Sequence, residues 1–468
     1  MSQNPQRLVV VGHGAAGLAA ALSAAEQAGG RGLSIEITLL EKSREEEAGG
    51  NTRWSPSNMR LDAPDRLDPG FADDMRKVSG GLADPCYFRT LAEHATATIG
   101  WLQGCGVEFV TPVYYLSAGP ARIQPVGGGG VIVAKLLEAA KRAGVQVLYE
   151  TAMDRLIMAE GHRVAGVSIR SGDGVATTLA ADAVVLATGG FQGNPEMMRA
   201  HFGPGAETLR LISPGTRFDT GDGIRMATDQ GARVSGDWNG MHIEPIDPRS
   251  KDSAPVVLVY PYGIVVDQDG RRFLDEGFGL MHETWEAFAR DIHFARPKRI
   301  AYAVLDAGLF DIEGFERAIR TDVPPYRADS IESLAAQISV PARELRATVD
   351  AFNAAAIGDP ARFDASRCDG LAAAGTLKPP KSNWARALTK PPFLAYPLVG
   401  AVAYTFGGLA TSEKAEVLGG HGPISGLYAA GETTGHFYGT APNAVAVLRA
   451  LVFGQIAGRE AVGFLHRR

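Results

Sequence analysis

The feature that most constrains the fold is a glycine-rich turn between an apolar strand and an alanine-rich helix, close to the start of the sequence. Residues 8–11 are apolar, residues 12–17 read GHGAAG, and residues 18–28 have the composition of a helix. In such a turn the first glycine permits a tight bend, the second lets backbone N–H groups approach a pyrophosphate, and the third brings helix and strand together. The pattern predicts an α/β, Rossmann-like fold with a dinucleotide at the helix N-terminus. The predicted contacts in this turn are Gly12, Gly14, Ala15, Ala16 and Gly17.

A second apolar segment supports this interpretation. Residues 35–40 have the pattern of a strand and are followed by Glu41 and Lys42. Glu41 lies 24 residues beyond Gly17. At about this spacing an acidic side chain accepts hydrogen bonds from the ribose hydroxyls of a dinucleotide. We therefore predict Glu41 and Lys42 as cofactor contacts, and the acid indicates a ribose without a 2′-phosphate.

Length and charge exclude several classes of protein. The chain has 468 residues, more than one hydrophobic core usually supports, so we expect two domains or one domain with an insertion. The net charge is −6 and there is no basic run, which argues against a nucleic-acid partner. The cysteines Cys86, Cys105 and Cys368 are far apart and form neither a disulfide framework nor a metal or haem motif. We expect a cytoplasmic protein without a metal site, signal peptide or transmembrane segment, because glycines and His13 interrupt the apolar stretch near the start.

Four further glycine motifs follow the turn. Residues 49–55 read GGNTRWS, residues 187–191 read ATGGF, residues 220–224 read TGDGI and residues 426–432 read GLYAAGE. In this order and spacing they resemble the FAD-binding flavoproteins of the fumarate reductase and succinate dehydrogenase superfamily, over essentially the whole chain. GGNTRWS and the DEG segment at 275–277 most resemble the tricarballylate dehydrogenase branch.

The resemblance implies FAD as the cofactor and places further contacts in these motifs. Glycine backbone can approach the flat isoalloxazine ring, and short polar side chains supply hydrogen bonds beside it. For Asp222 the alternative is a role as the N-cap of the helix that it opens. No histidine lies in 49–55, where the family attaches flavin covalently, so we expect non-covalent FAD. The predicted contacts are Gly49, Gly50, Asn51, Thr52, Thr188, Gly189, Gly190, Asp222, Gly431, Glu432, Asn443 and Ala444.

The glycine motifs stop in the middle of the chain, where the pattern becomes one of mixed strands and helices. The resemblance implies that this insert, residues 241–402, is an α+β capping domain that closes over the substrate and excludes water. Residues 1–240 and 403–468 then form one FAD-binding domain that is split in sequence. Within the insert the patterns predict strands at 263–267 and 300–305 and helices at 284–292, 330–338 and 341–356.

The catalytic residues of the family are matched only in part. Fumarate reductases bind their substrate with two histidines and an arginine, and His242 corresponds to the first histidine. Tyr404 stands in place of the second, and the late loop that carries the arginine offers His436 and Tyr438 instead. We predict His242, Tyr404 and Tyr438 as catalytic residues, and this difference argues against a plain succinate or fumarate site.

The family also uses an arginine to deliver a proton, and the nearest candidates here are His282 and Arg290. Together with Glu286 they lie at i, i+4 and i+8 on one face of a predicted helix. The alternatives are a structural role for His282 and a surface ion pair between Glu286 and Arg290. Arg122 and Arg217 are candidate cations for a polyanionic substrate, with solvated surface charge as their alternative.

These observations together predict an FAD-dependent dehydrogenase or reductase that acts on a CH–CH group next to a carboxylate. A small anionic substrate is expected, with tricarballylate as the substrate that the resemblance implies. Because the chain has no haem or iron–sulfur motif, we expect a separate electron acceptor such as quinone, oxygen or a redox protein. Two alternatives remain: a 3-ketosteroid-type dehydrogenase, which the tyrosines Tyr404 and Tyr438 would suit, and a flavin subunit that only relays electrons to a partner.

Overall fold

The computed structural model describes residues 5–116, 119–375 and 377–467. Its larger sheet is built around the strand Gln6–Val11, which pairs in parallel with Ile35–Leu40 on one side and Ala183–Leu186 on the other. This is the strand order that the glycine-rich turn predicts for a Rossmann-like fold. Across the sheet the order is Ala176–Ala180, Arg163–Ser171, Gly422–Ala429, Ala183–Leu186, Gln6–Val11, Ile35–Leu40 and Gln146–Leu148. The strands Thr151–Ala159 and Glu416–Gly419 add antiparallel partners to Arg163–Ser171 and Gly422–Ala429.

The helix after the turn runs over Ala15–Gly30 and so begins three residues before the predicted start. It packs against the last helix of the chain, Ala446–His466. The two helices touch through small residues. A Cβ at Gly454 would lie 2.9 Å from Ala19 Cβ, and one at Gly458 would lie 3.0 Å from the carbonyl carbon of Ala20. Side chains at these positions would force the helices apart, so the glycines fix the position of the turn.

The other helices of this part of the molecule surround the larger sheet and the loops at its edge. Asp84 begins one of them as its N-cap, where the side chain accepts a hydrogen bond from Cys86 N, and a proline follows it at the first helical position. These helices are Phe71–Val78, Pro85–Gly104, Gly129–Arg142, Pro195–Phe202 and Asp222–Thr228. In the part of the chain that the structure describes, no helix combines the length and apolar character needed to cross a membrane.

A second sheet contains the strands of the predicted capping segment. Its longest strand, Phe393–Thr405, runs through the predicted boundary at residue 402 without a break. The strand Arg210–Leu211, which lies before residue 241, joins the same sheet. Across the sheet the order is Arg210–Leu211, Phe393–Thr405, Ala301–Leu305 and Ile264–Val266, and Met241–Ile246 and Tyr326–Ala328 also pair with the long strand.

The predicted helices of the insert form close to their expected positions. Met281–Ala295 is longer than predicted by three residues at each end, while Ile331–Gln337 and Ala342–Ala355 agree to within one residue. Ser330 caps the second of these through a hydrogen bond that its side chain accepts from Ser333 N. The first helix packs against the long strand and Met241–Ile246, so its side chains lie against the second sheet.

Candidate active site

A cavity of about 570 Å³ lies at the carboxyl end of the parallel strands, where the larger sheet meets the second one. Its walls include the glycine-rich turn from the first sheet and His242 and Tyr404 from the second. Ligands of α/β proteins bind at this edge because the loops that follow neighbouring parallel strands meet there. The cavity therefore joins the predicted dinucleotide site and the predicted catalytic side chains in one space.

The three glycines of the turn have different surroundings. Gly12 has a φ of +108°, and a Cβ there would lie 2.8 Å from the carbonyl carbon of Ala187. A Cβ at Gly17 would lie 2.9 Å from the carbonyl carbon of Gly12. At Gly14, by contrast, a Cβ would have no neighbour nearer than 3.9 Å, and this residue lines the cavity. Gly12 and Gly17 thus pack the turn, whereas Gly14 leaves open space for a ligand.

Glu41 is held at the end of the second strand by two backbone donors. His13 N donates to one carboxylate oxygen at 3.1 Å and Ser43 N donates to the other at 2.7 Å. The carboxylate lines the cavity, and each of its oxygens keeps further acceptor capacity. Glu41 can therefore accept hydrogen bonds from ribose hydroxyls, as its position in the sequence predicts.

Lys42 and Asp222 form an ion pair on the same wall. Lys42 Nζ lies 3.1 Å from Asp222 Oδ2 and donates to Thr220 Oγ1 at 2.6 Å. Burial opposes ionisation of Asp222, but the Thr220 hydroxyl and Lys42 lower the pKa of this carboxyl below its ordinary value. The N-cap of the helix is Gly221, and no side chain caps it. The alternative role of Asp222 as an N-cap is therefore wrong.

The loop predicted to face the flavin is tied to its surroundings by side chains. Asn51 Nδ2 donates to the carbonyl oxygen of Ala403 at 2.7 Å, and Asn51 Oδ1 accepts from Ser213 Oγ at 2.8 Å. Thr52 Oγ1 accepts a hydrogen bond from Ala15 N at 3.3 Å. Because these groups are used within the protein, the loop fixes the cavity wall and presents the backbone of neighbouring residues to a ligand.

Two buried carboxylates, Glu432 and Asp219, meet on one side chain. Gln192 Nε2 donates to Asp219 Oδ2 at 2.8 Å and to Glu432 Oε2 at 3.3 Å, while Thr405 N donates to Glu432 Oε1 at 2.9 Å. Burial raises the pKa of Glu432 to about 7. Burial and the charge of Glu432 raise the pKa of Asp219 well above its ordinary value. This cluster therefore retains a proton near neutral pH.

His242 is held between two glutamates. Its Nδ1 is hydrogen-bonded to Glu286, and its Nε2 lies 3.0 Å from Glu244 Oε1. Burial opposes the charged imidazolium, but the two carboxylates outweigh burial and raise the pKa of His242 to about 10. His242 is thus a cation at neutral pH, and both of its N–H groups already donate to carboxylates.

Tyr404 lies directly opposite His242 in the second sheet, with the two ring centroids 4.9 Å apart. Its side chain lines the cavity, and within the described residues its hydroxyl makes no hydrogen bond. Burial and the charge of Glu286 raise the pKa of Tyr404 well above its ordinary value. The hydroxyl therefore keeps its proton and is free to donate it to a ligand.

His282 also lines the cavity, at the first turn of its helix. Its Nδ1 has no hydrogen-bond partner in the described part of the chain, and its ring meets that of Tyr114 edge-on at 5.3 Å. Burial lowers the pKa of His282, and the nearby charge of Arg122 acts in the same direction. At neutral pH this histidine is uncharged and can accept a proton.

Two predicted catalytic residues lie outside the cavity. Arg290 is eight residues beyond His282, which is about 12 Å along a helix, and it donates to the carbonyl oxygen of Asn239 at 3.2 Å. Tyr438 faces away from the cavity, and its hydroxyl accepts a hydrogen bond from Gly236 N at 3.0 Å. The structure thus places neither residue where it could contact a ligand in this space.

The alternatives for the remaining charged residues are also decided by their contacts. Glu286 is not paired with Arg290, because its carboxylate contacts His242 and accepts from Ala441 N at 3.1 Å. Arg217 pairs with Glu47 and lies outside the cavity. Of the predicted site residues, the cavity is lined by Gly12, Gly14, Ala15, Ala16, Glu41, Lys42, Gly50, Asn51, Thr52, Thr188, Gly189, Asp222, His242, His282, Tyr404, Gly431, Glu432, Asn443 and Ala444.

Three predicted cofactor contacts lie behind the cavity wall and shape it. Gly17 packs beneath the turn, as described above. Gly49 has a φ of +123°, and a Cβ there would lie 2.8 Å from Arg53 Cβ. A Cβ at Gly190 would overlap the carboxylate of Glu432. Each of these glycines provides room for a neighbouring protein group.

Several groups of the site were not predicted from the sequence. Glu244 follows His242 by two residues in a strand, so a period of two could have placed both on one face. Asp219 and Gln192 stand next to glycine motifs, but no residue pattern indicated that their side chains meet. Arg449 also lines the cavity and is 1% exposed. It is a single polar residue in the apolar closing helix, so no sequence pattern indicates that it belongs to the site.

Comparisons with known proteins agree with this architecture. A family model described as FAD binding domain matches residues 7–445. The probable fumarate reductase Ifc3 of Shewanella frigidimarina is 28% identical over 480 residues, covering 97% of this chain and 74% of that protein. The 4-oxocyclohexanecarboxylate 2-dehydrogenase of Sinomonas cyclohexanicum is 31% identical over 379 residues, covering 73% and 62%. Among solved structures, the open conformation of a flavocytochrome c3 fumarate reductase matches with a TM-score of 0.78 at 25% identity, covering 99% of this chain and 79% of that one.

Proposed function

This chain belongs to the FAD binding domain family and is an FAD-dependent oxidoreductase, and on that premise we propose that it forms or reduces a carbon–carbon double bond next to a carboxylate or carbonyl group. The resemblance to the fumarate reductase flavoproteins and the prediction of FAD are both confirmed. The relatives named above act on a carboxylate substrate or, in the Sinomonas enzyme, on one that carries both a ketone and a carboxylate.

The residues that line the cavity fit FAD. Gly14 leaves open space at a helix N-terminus for the pyrophosphate, and Glu41 offers acceptors to the adenosine ribose. We propose that the cofactor is not attached covalently, because the GGNTRWS loop offers no histidine. When it is bound, the flavin accepts or supplies a hydride.

The observation that carries the proposal is the free hydroxyl of Tyr404 beside His242 in the same cavity as the cofactor residues. In the direction of reduction, Tyr404 donates its proton to one carbon of the double bond while the other carbon receives the hydride. For a ketone substrate, the same hydroxyl donates a hydrogen bond to the carbonyl oxygen. His242 acts as a positioning residue and as a fixed positive charge, because its two N–H groups are bound to Glu244 and Glu286.

In the direction of oxidation the substrate loses a proton as well as a hydride. By microscopic reversibility, the group that gives the proton in reduction takes it back in oxidation, so Tyr404 would also be the base. Because its raised pKa keeps the hydroxyl protonated at neutral pH, oxidation would draw on a small deprotonated fraction. We propose His282 as the alternative for the same acid–base role in both directions, because it is uncharged and its Nδ1 has no partner in the described residues.

The exact substrate is part of the proposal. Tricarballylate is the substrate that the sequence resemblance implies, but one of the two segments behind that implication lies away from the cavity. In the DEG segment, Glu276 pairs with Arg272 at 2.5 Å and lies 3.8 Å from Lys381 Nζ, which is a buried structural cluster. A carboxylate that also carries a ketone fits both the cations of the cavity and the Tyr404 hydroxyl, and we propose it beside tricarballylate.

The same cavity bears on the two alternative functions predicted from the sequence. Of the two tyrosines that would suit a 3-ketosteroid-type dehydrogenase, only Tyr404 lines the cavity, since Tyr438 lies outside. A subunit that only relays electrons would not need a protonated tyrosine and a neutral histidine facing one space. We propose a separate electron acceptor, either quinone, oxygen or a redox protein.

The test is an anaerobic visible spectrum of the FAD-loaded protein. Tricarballylate, succinate and 4-oxocyclohexanecarboxylate are added to the oxidised form, and fumarate and acrylate are added to the dithionite-reduced form. We expect at least one carboxylate to bleach or restore the flavin absorbance. Tyr404→Phe should slow this step at least about 100-fold, the effect of losing a general acid, while Tyr438→Phe leaves it within about twofold. A 3-ketosteroid is added to the oxidised form as a further compound. A flavin that responds only to this steroid would move the assignment to the first alternative, and one that responds to no compound would support the second.

A further inference from the structure

Arg122 is a buried cation with no counter-ion in the described part of the chain. It is 7% exposed and lines the cavity. Its guanidinium carbon lies 4.0 Å from the ring centroid of Tyr114 and 5.0 Å from that of Tyr115. Within residues 5–116, 119–375 and 377–467 its side chain makes no hydrogen bond or ion pair, and its Nε is fully buried. Because a buried charge is costly without a partner, this guanidinium indicates a site for an anion.

The other cations around the cavity differ from Arg122. Arg449 also has a buried Nε without a hydrogen-bond partner in the described residues, but its Nη1 donates a hydrogen bond to the carbonyl oxygen of Thr434 at 3.4 Å. Arg320 is exposed to solvent, which screens its charge. The remaining ones are paired with carboxylates: Lys42 with Asp222, Arg60 with Asp68 and Asp74, and Lys77 with Glu283.

Arg122 also lies next to the groups on which the proposed reaction depends. The hydroxyl of Tyr114 accepts a hydrogen bond from Asn443 Nδ2 at 3.2 Å, and Asn443 is a predicted flavin contact. On the other side, the ring of Tyr115 meets Trp285 at 6.0 Å, and Trp285 meets His242 at 6.2 Å. A ligand between Arg122 and His242 would therefore lie along the indole of Trp285, beside the cofactor site.

We propose that Arg122 binds the carboxylate of the substrate. The carboxylate then points to the FAD-binding part of the protein, and the opposite end of the substrate faces His242 and Tyr404. This inference rests on the proposed function. A guanidinium offers two parallel N–H donors to a carboxylate, and the two tyrosine rings hold its plane in place. Arg122 then supplies the cation for which the late loop, residues 435–443, has no arginine.

The test compares two variants, Arg122→Met and Arg122→Lys, with a matched control. Arg386→Met also removes an arginine stacked on an aromatic ring, Phe363, but that residue lies outside the cavity. Anaerobic titrations follow the flavin spectrum of the FAD-loaded protein with 4-oxocyclohexanecarboxylate and its primary amide, and with acetate and acetamide. Flavin content and the unfolding midpoint of each variant show whether it has folded.

We expect Arg122→Met to weaken binding of each carboxylate by about 10- to 100-fold, the effect of one charged hydrogen-bond pair. Binding of the amides should stay within twofold, and Arg122→Lys should recover part of the loss. Arg386→Met should bind all four compounds like the unchanged protein. An equal response of Arg122→Met and the unchanged protein to the carboxylates would overturn the inference, as would an unchanged protein that binds acetate no better than acetamide.

The acetate measurement separates this inference from the proposed function. If 4-oxocyclohexanecarboxylate and the other candidate substrates never reduce the flavin, the proposed reaction fails. A spectral shift with acetate that disappears in Arg122→Met would still establish the carboxylate site in that case. Conversely, turnover that is unaffected by Arg122→Met would support the proposed reaction and would reject Arg122 as the residue that binds the substrate carboxylate.

Discussion

Replacement of Gly17 by alanine tests whether the dinucleotide site depends on contact between the turn and its helix. A Cβ at Gly17 would lie 2.9 Å from the carbonyl carbon of Gly12 and would overlap its oxygen, with Ala187 Cβ 3.4 Å away on the other side. Carbon atoms normally pack about 3.5–4.0 Å apart, so the helix must move by at least about 0.6 Å. Overpacking of this kind costs about 3 kcal/mol at the upper end of its usual range.

The helix propensity of alanine offsets part of that cost. Alanine is better than glycine within a helix by about 0.5–1 kcal/mol, so we expect Gly17→Ala to lose about 2 kcal/mol of unfolding free energy. It should also lose bound FAD, because the displaced helix carries the N–H groups that face the pyrophosphate. The control is Gly29→Ala in the same helix, where a Cβ has no neighbour within 4 Å. That variant should gain about 0.5–1 kcal/mol and keep its FAD.

The assay is denaturant unfolding of the FAD-loaded proteins, followed by tryptophan fluorescence, together with the flavin content after purification. The two variants should move the unfolding midpoint in opposite directions. If Gly17→Ala matched Gly29→Ala in stability and flavin content, the turn would have room that the structure does not give it. The packing explanation for the third glycine would then be refuted.

Three further predictions concern the buried charges. The pKa of His242 is raised to about 10 from an ordinary 6.5, so it adds stability that is complete below pH 6.5 and is lost as the pH rises through 10. Glu286→Gln removes one of the carboxylates that raise this pKa, so in unfolding titrations the loss of stability should be complete at a lower pH. For Glu432 the pKa of about 7 lies above the ordinary 4.5, so stability falls as the pH rises from 4.5 to 7, and Glu432→Gln should reduce that slope while leaving the part that burial of Asp219 contributes. Lys381, whose pKa burial lowers to about 8, donates hydrogen bonds to the carbonyl oxygens of Pro261 and Gly263 at 2.6 Å each, so Lys381→Met should destabilise the protein by about 2 kcal/mol through the loss of both bonds, without changing the flavin spectrum.

The elements around the cofactor could be predicted because their signals are local. The strand Ile35–Leu40 has the predicted bounds, and the helix Ala15–Gly30 was displaced only at its ends, where the small residues of the turn already adopt helical geometry. The bounds of the longest strand in the second sheet were less predictable. The strand Phe393–Thr405 crosses the predicted boundary because its pairing partners lie in distant segments, and pairing, not local composition, determines how far a strand extends.

The catalytic side chains were harder to choose from the sequence. Tyr404 and Tyr438 were equivalent candidates on the motif, and only the structure shows that one lines the cavity while the other accepts a hydrogen bond from Gly236 N. Helix spacing put Arg290 on one face with His282, but it did not account for the distance along the axis that separates them. Motif matching thus located segments that reach the cavity but not the orientation of each side chain.

By itself the sequence determined the glycine-rich turn, the class of fold and FAD as the cofactor, because each follows from backbone requirements that neighbouring residues satisfy. Only the tertiary structure decided the charge states of the site. His242 becomes a cation because Glu286, 44 residues away in the chain, comes into contact with it. Arg122 is left without a counter-ion because none of the described carboxylates folds onto it. Such charge states depend on which distant segments come into contact and on how fully they exclude water. Neither can be predicted from a local sequence pattern.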